Sequence, residues 1–336
     1  MHYFIQTKSE LSALQLVKLA GLFETVEDAA GLAALLKKDD GSLEQLSHSP
    51  SYQEFHIAKP GGARRFIQHP NAALKAVQTE LNRYLQAVYY KVRPASVHGF
   101  VVSPNDETRP RNIYTNAQVH AKGAWFLNID LQDFFHHVTE KMILELFTSI
   151  FAFDPDLAGL LTRLTTYKGR LPMGAPTSPV LSNFVLYFVD RFMEQLAKIN
   201  EARYSRYADD LTFSFQVPPG EAFIEEIRRN LEASGFRINE GKVRFQSRME
   251  QPEITGLCIG RATKPTLSKS YLKMLKKEVA IYRWLLEETV QNRALVPIWF
   301  FDQFHKSLSG QVEFAGFVLG KSDRVYKKLA GKLRWG

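Results

Sequence analysis

The sequence predicts an α+β fold. Helical-period and extended apolar segments both occur, and they follow one another without the regular βαβ alternation of a parallel sheet. The 336 residues are 45% hydrophobic and 23% charged, which supplies enough core-forming side chains for two or three compact units. A single cysteine, Cys258, excludes an internal disulfide framework or a cluster of cysteine metal ligands. No uncharged apolar run reaches the about 18 residues needed to cross a bilayer, and Met1–Ser9 lacks the basic start and long apolar core of a signal peptide. A cytoplasmic protein with no membrane attachment is expected.

Residues 1 to about 48 read as helical, with Leu16, Leu19, Ala20 and Phe23 at helical spacing and Lys37–Gly41 as an exposed turn. An extended stretch from Tyr52 to Pro70 is broken by Pro60-Gly61-Gly62, a hairpin signal. Asn71–Tyr90 reads as a helix with Leu74, Val77, Leu81, Leu85 and Val88 on one face. Trp125–Leu131 is a buried strand with an acid, Asp130, near its end. Ser178-Pro179 starts a helix, since proline suits the first turn and serine can cap it, and Leu181, Phe184, Val185, Phe188 and Phe192 are expected to face inward. Tyr204–Phe215 reads as a hairpin with Asp209-Asp210 at its tip, Phe223–Ser234 as a helix, and Phe236–Phe245 as mostly extended. The last 70 residues read as helical, opening with Lys269–Leu286.

Charge is divided unevenly. Residues 261–336 carry 15 basic and 6 acidic side chains, a net of +9, whereas the preceding 260 residues carry 28 and 29, a net of −1. A block of one sign points to a polyanionic partner, although a solvated basic face has the same composition. On Lys269–Leu286 the apolar Leu272, Leu275, Val279 and Leu286 form one face, and Lys269, Lys273, Lys276, Lys277 and Arg283 make others positive. Such a helix can track a phosphate backbone independently of sequence.

The run Tyr207-Ala208-Asp209-Asp210-Leu211-Thr212-Phe213 places two adjacent acids between apolar, β-prone residues. A two-residue hairpin tip normally takes Gly or Asn, and paired carboxylates repel there unless a cation sits beside them. Asp130 lies 79 residues earlier, at the end of another strand. If the two strands are neighbours, three carboxylates converge as in a two-metal site for phosphoryl displacement. A lone Asp-Asp pair is also consistent with a polar turn.

The surrounding residues decide between these readings. In chain order, Lys59-Pro60-Gly61-Gly62-Ala63-Arg64-Arg65, Asp130-Leu131-Gln132-Asp133-Phe134-Phe135, Leu171–Pro179, Tyr207-Ala208-Asp209-Asp210 and Gly235–Lys242 resemble the motifs of reverse transcriptases, over roughly residues 52–336. Asn116-Ala117-Gln118-Val119-His120 resembles the Asn-Ala-x-x-His element of bacterial retron enzymes, and Ile254-Thr255-Gly256 is similar to their Val-Thr-Gly element. The resemblance implies a right-hand polymerase with an N-terminal helical segment (1–50), fingers (51–125), a palm of antiparallel sheet and helices (126–262, with a helical insertion around 140–170) and a basic helical thumb (263–336).

The resemblance further implies that Asp130 and Asp209 bridge two Mg²⁺ ions, with Asp210 in support and the Leu131 carbonyl facing a metal. Phe135 falls where the family places its sugar gate, a ring that excludes a 2′-hydroxyl. Lys59, Arg64 and Arg65 are expected to clamp the nucleotide triphosphate, Arg64 matching the family position best, and Gly174 to allow close approach of the nucleotide. Lys242 matches a lysine that protonates the leaving pyrophosphate. Asn116, His120 and Thr255, with Lys269, Lys273, Lys276 and Lys277, are candidate RNA contacts, although a structural hydrogen-bonding role suits Asn116 and His120 equally. Met173 stands where the family usually has Gln, which puts fidelity or primer preference in question.

A retron enzyme copies a dedicated structured non-coding RNA, its template and primer, from dNTPs. The resemblance implies priming from a guanosine 2′-hydroxyl, a branched RNA–DNA hybrid product, and service in anti-phage defence with a separate effector protein. A group II intron enzyme would need a further domain after the thumb, and a diversity-generating enzyme usually lacks the Ala-Pro-Thr-Ser-Pro run present at 175–179. A non-catalytic RNA-binding scaffold would have no need for clustered, self-repelling acids.

Overall fold

The computed structural model describes residues 9–58, 62, 64–260, 264–292 and 297–333. The chain divides into two compact units, Met1–Gln246 and Ser247–Gly336. The α+β class expected from the sequence is the one observed.

The first unit opens with α1 (Ala13–Glu24), α2 (Ala29–Leu36) and α3 (Asp40–His48). Each starts on a side-chain cap (Ser12, Asp28 and Asp39) that accepts from the backbone N–H three residues on. The turn expected at Lys37–Gly41 is therefore shorter: left-handed Lys37 closes α2 and Asp39 already caps α3. β1 (Tyr52–Ala58) and β2 (Arg64–Pro70) form the expected antiparallel hairpin. Asn71 caps α4 (Ala72–Val92), whose predicted face of Leu74, Val77, Leu81, Leu85 and Val88 is buried.

Next come α5 (Ile113–Val119), β3 (Trp125–Asp130), α6 (Phe134–His137), α7 (Glu140–Glu145), α8 (Pro155–Thr165), α9 (Ser178–Val185) and α10 (Tyr187–Ile199). β4 (Arg203–Tyr207), β5 (Asp210–Phe215), α11 (Glu221–Ala233) and β6 (Arg244–Ser247) complete the sequence of elements. The sheet has the order β4-β5-β3-β6, and β5 runs antiparallel to both β3 and β4. Phe126, Leu127, Ile129, Leu211, Phe213 and Phe215 are buried in its core. The long helix expected after Ser178-Pro179 is two helices: Leu186 (φ −80°, ψ 0°) interrupts it. The break resets the helical phase, so Val189, Met193 and Leu196 face inward while Phe188 is 67% exposed.

In the second unit β7 (Glu253–Ile254) and β8 (Leu257–Cys258) pair through a two-residue turn, Thr255-Gly256, with both residues at positive φ. This hairpin belongs to the same compact unit as α12 (Lys269–Asn292), α13 (Ile298–Leu319) and α14 (Arg324–Leu333). Leu275, Val279, Tyr282, Leu308, Val312 and Leu329 are buried. Among the described residues no helix is long and apolar enough to cross a membrane.

Candidate active site

Register brings the acids together. β3 and β5 pair so that Asp130 stands directly across from Asp210, and the backbone N–H of Leu131 donates to the carbonyl of Asp209 at 3.1 Å. Cross-strand partners have Cβ atoms about 4.5–5.5 Å apart. The tip is Ala208-Asp209 rather than Asp209-Asp210, because Tyr207 pairs with Asp210. Positive φ (59°) falls on Ala208. Asp209 thus occupies the turn and Asp210 the strand, which gives adjacent aspartates different settings.

Lys242, in a 3₁₀ turn (Glu240–Lys242), donates to Asp130 Oδ1 and Oδ2 at 2.8 and 2.9 Å. Asn239 holds the same residue twice: its N–H donates to the Asp130 carbonyl at 2.8 Å and its amide to Oδ2 at 3.3 Å. The bond to Asp130 is the main cause that raises the Lys242 ammonium above its usual range. Desolvation, then Asp209 and Asp130, push the Asp210 carboxyl up to about 7, against Lys242 and Arg244. Desolvation is also the first cause that raises Asp209, with Asp130 adding to it and Lys242 and Arg65 opposing. Among the described residues neither Asp209 nor Asp210 has an ion-pair partner. Nor does any group of three or more His, Cys, Asp or Glu side chains among them stand at metal-ligand spacing. An open set of crowded carboxylate oxygens nevertheless suits a hard divalent cation that takes its remaining ligands from water and substrate phosphates.

The residues expected at the nucleotide fall into different settings. Lys59 lies outside the described residues. Arg64 and Arg65 are both exposed on β2, and alternation along the strand puts them on opposite faces. Arg65, not Arg64, is the one whose charge reaches Asp209. At Gly174 (φ 130°) a Cβ would meet the Gln68 carbonyl at 2.9 Å and Ile67 Cγ2 at 3.1 Å. The group that crowds Gly174 is therefore β2 itself, whose Gln68 N–H also bonds the Met173 carbonyl at 2.8 Å. Phe135 is partly buried, with ring centroids 5.3 Å from Phe134 and 5.9 Å from Phe100.

The RNA candidates separate. Asn116 and His120 are fully buried, so neither side chain is presented to a polymer arriving from solvent. His120 lies between Ser214 Oγ (2.8 Å) and Ser205 Oγ (2.7 Å), tying β5 to β4, and burial pushes its imidazole down to about 3. His120 thus has the structural hydrogen bonds, whereas the Asn116 amide, equally buried, finds no hydrogen-bond partner among the described residues. Thr255 is partly buried in the β7–β8 turn, where its hydroxyl donates to the Ile254 carbonyl. Lys269, Lys273, Lys276 and Lys277 are exposed on α12, and Leu275 and Val279 face the interior of their unit.

A charged cluster escaped the sequence reading. Arg206 and Asp190 are both fully buried and joined by paired bonds, Nε to Oδ1 at 2.7 Å and Nη2 to Oδ2 at 2.6 Å. Tyr204 donates to Asp190 at 2.8 Å, and Arg206 Nη1 reaches Asn183 Oδ1 (3.0 Å) and the Ala208 carbonyl (2.8 Å). An arginine in a strand and an aspartate in an apolar helix were the available signal, since buried charges occur in pairs.

Comparison with known proteins bears on these motifs. Residues 57–270 match the family described as reverse transcriptase (RNA-dependent DNA polymerase). The retron Mx162 reverse transcriptase of Myxococcus xanthus is 29% identical over 272 residues, 72% of this chain and 54% of that protein. The retron Mx65 reverse transcriptase of the same organism is 32% identical over 268 residues, 71% and 58% of the two chains. The retron Ec86 reverse transcriptase of Escherichia coli is 31% identical over 218 residues, 62% and 63%. The chain thus spans a little over half the length of these relatives. With two thirds of its own length matched and the motifs in order on an antiparallel sheet flanked by helices, the chain belongs to the reverse transcriptase family, with its right-hand polymerase fold.

Proposed function

We propose that this chain is a retron-type, RNA-directed DNA polymerase that copies a structured non-coding RNA into DNA with two Mg²⁺ ions. The observation that carries the reading is the antiparallel register that sets Asp130 across from Asp210, with Asp209 in the adjoining turn. The retron relatives support the subfamily. Residues 51–125 serve as fingers, 126–262 as palm and 263–336 as thumb.

Asp130, Asp209 and Asp210, with the Leu131 carbonyl, would hold the metal. When bound, the ions supply Lewis-acid activation of the attacking hydroxyl and charge neutralisation at the triphosphate. Arg65 offers a forked donor to phosphate oxygens, and Lys59 and Arg64 add positive charge. The primer hydroxyl oxygen attacks the α-phosphorus, an O–P bond forms and the bond to the β-phosphate bridging oxygen breaks. The hydroxyl proton passes to solvent water, and pyrophosphate leaves with a proton from Lys242, whose ammonium is favoured by the surrounding acids. Phe135 excludes a 2′-hydroxyl by bulk, which selects dNTPs. The exposed lysines of α12 grip RNA or the RNA–DNA hybrid through phosphates. A guanosine 2′-hydroxyl as first primer yields a branched hybrid, used with a separate effector in phage defence.

The test is incorporation of dNTPs by the purified chain on a structured RNA without added primer. The expected product is DNA that stays joined to RNA on a denaturing gel until the RNA is digested. Extension only from an added 3′ end would keep the polymerase and reject the retron assignment. No incorporation on either substrate would reject both.

A further inference from the structure

Behind the acidic turn lies a buried hydrogen-bonded network that joins it to the wall against which Phe135 packs. Its centre is Asn183 on α9, fully buried. The Asn183 amide nitrogen donates to the carbonyls of Gly99 (3.1 Å) and Phe100 (3.2 Å), and its oxygen accepts from Arg206 Nη1 (3.0 Å). The same Nη1 donates its second hydrogen to the carbonyl of Ala208, the residue before Asp209. Asp190 holds the opposite side of the guanidinium through two bonds, so the fork cannot rotate away. Backbone bonds run parallel to this network: His98 N–H to the Arg206 carbonyl (2.8 Å) and Arg206 N–H to the Ser96 carbonyl (2.9 Å).

Two residues at opposite ends of the network are non-glycine and left-handed, Phe100 (φ 58°) and Ala208 (φ 59°). Such backbones persist where their surroundings over-determine them. Here the carbonyls of both residues are held by the same set of side chains. Packing alone would not need this arrangement, because a buried ion pair is often replaceable by apolar side chains of similar volume. An apolar pair could not bond the two backbone segments at once.

We propose that Asn183 is a positioning residue that couples the sugar gate to the acidic turn: through Phe100 it sets the seat of the Phe135 ring, and through Arg206 it sets the Ala208 carbonyl beside Asp209. The inference rests on Phe135 being the gate. It predicts that sugar selectivity depends on a side chain that touches neither nucleotide nor metal ligand.

The experiment compares single-nucleotide incorporation of dNTP and rNTP, as kcat/KM ratios, in wild type, Phe135→Ala, Asn183→Ala and the double variant, with thermal melts for each. Phe135→Ala is expected to lower the dNTP preference. Asn183→Ala loses three bonds, of which only the one to the Phe100 carbonyl bears on the gate's seat, so it is expected to lower the preference on the order of fivefold, the effect of about one buried hydrogen bond. The double variant is expected to fall no further than Phe135→Ala alone. A merely structural Asn183 would reduce both sugars equally and leave the ratio unchanged, which would overturn the coupling. Additive effects in the double variant would overturn it as well. If Phe135→Ala leaves the ratio unmoved, the gate assignment fails and takes the inference with it, a result distinct from failure at Asn183 alone. Should Asn183→Ala not fold, Phe100→Ala tests the half of the link on which the coupling depends, the contact between the Phe100 and Phe135 rings. It removes the ring and leaves the backbone carbonyls in place, and an unchanged ratio there would refute the seat.

Discussion

Gly99→Ala is the smallest change that reaches the acidic turn. A Cβ at Gly99 would stand 2.3 Å from the Ala208 nitrogen, 2.9 Å from the Tyr207 carbonyl carbon and 3.1 Å from Tyr207 Cα, where ordinary contact begins at 3.4 Å. About 1 Å is missing against the closest atom, and all three atoms are backbone, so no side chain can swing aside to relieve the overlap. The Gly99 side is pinned by the His98–Arg206 and Arg206–Ser96 backbone bonds and by the parallel bridge between Val97 and Arg206. Either backbone can yield only by shifting Tyr207-Ala208 against Gly99, and the turn is expected to take up the overlap and carry the adjoining Asp209 by up to about an ångström. A shift of that size in a positioned catalytic group costs on the order of 10²-fold in rate, and overpacking costs about 1–3 kcal/mol of stability. The assay is single-nucleotide addition at saturating dNTP, with RNA affinity and a thermal melt on the same preparation. A folded variant is expected to keep its RNA affinity and lose about 10²-fold in kcat. A kcat within about twofold of wild type would refute the claim that the close approach at Gly99 fixes the turn.

Other consequences are equally concrete. Lys242→Ala, measured by pre-steady-state incorporation, is expected to lower the chemical step on the order of 10²-fold with little change in dNTP binding, and an unchanged step would make Lys242 a resting partner of Asp130 only. Replacing Lys273, Lys276 and Lys277 with Gln is expected to weaken RNA binding and lower the log–log salt slope by roughly 0.7–0.9 for each phosphate that is no longer neutralised. An unchanged slope in a folded variant would make α12 an ordinary solvated face. His98 and His120 are pushed down to about 3, chiefly by burial, from an ordinary 6.5. Unfolded chains take up these protons first, so the histidines' contribution is full above about pH 6.5 and falls as pH drops toward 3, by about 2 kcal/mol per histidine at pH 5, while the raised carboxyls of Asp210 and Asp209 act in the opposite sense over the same range. Urea melts of wild type and His120→Asn at about pH 7.5 and 5.0 isolate the histidine share: on going to the lower pH the variant is expected to retain about 2 kcal/mol more of its stability than wild type, and identical pH dependence would refute it.

The parts of this molecule that sequence reasoning reached are those set by local pattern. Apolar runs on either side of Asp130 and Asp209-Asp210 marked two strands, and their pairing follows from burying one shared core. The β1–β2 hairpin, α4 and α12 were similarly legible from turn residues and helical period. What escaped depends on interactions between distant segments. Positive φ at the turn fell on Ala208 because Tyr207 and Asp210 are in register, a one-residue difference that hydropathy does not resolve. Phe188 faces outward because of the break at Leu186, which carries neither Gly nor Pro to announce it. For His120 the sequence left RNA contact and structural hydrogen bonding equally open, because its partners, Ser205 and Ser214, lie 85 and 94 residues away. Arg206 and Asp190 are only 16 residues apart in sequence, and each alone reads as a surface charge until α10 is laid against β4.

If Asp130, Asp209 and Asp210 form the metal centre for DNA synthesis, Asp209→Asn removes a ligand from it. The change removes one carboxylate charge at nearly constant size. Mg²⁺-dependent dNTP incorporation and RNA affinity are measured together on wild type and variant. Incorporation is expected to be abolished across the Mg²⁺ titration while RNA affinity stays near wild type. Near-wild-type incorporation by a folded Asp209→Asn protein would contradict that assignment.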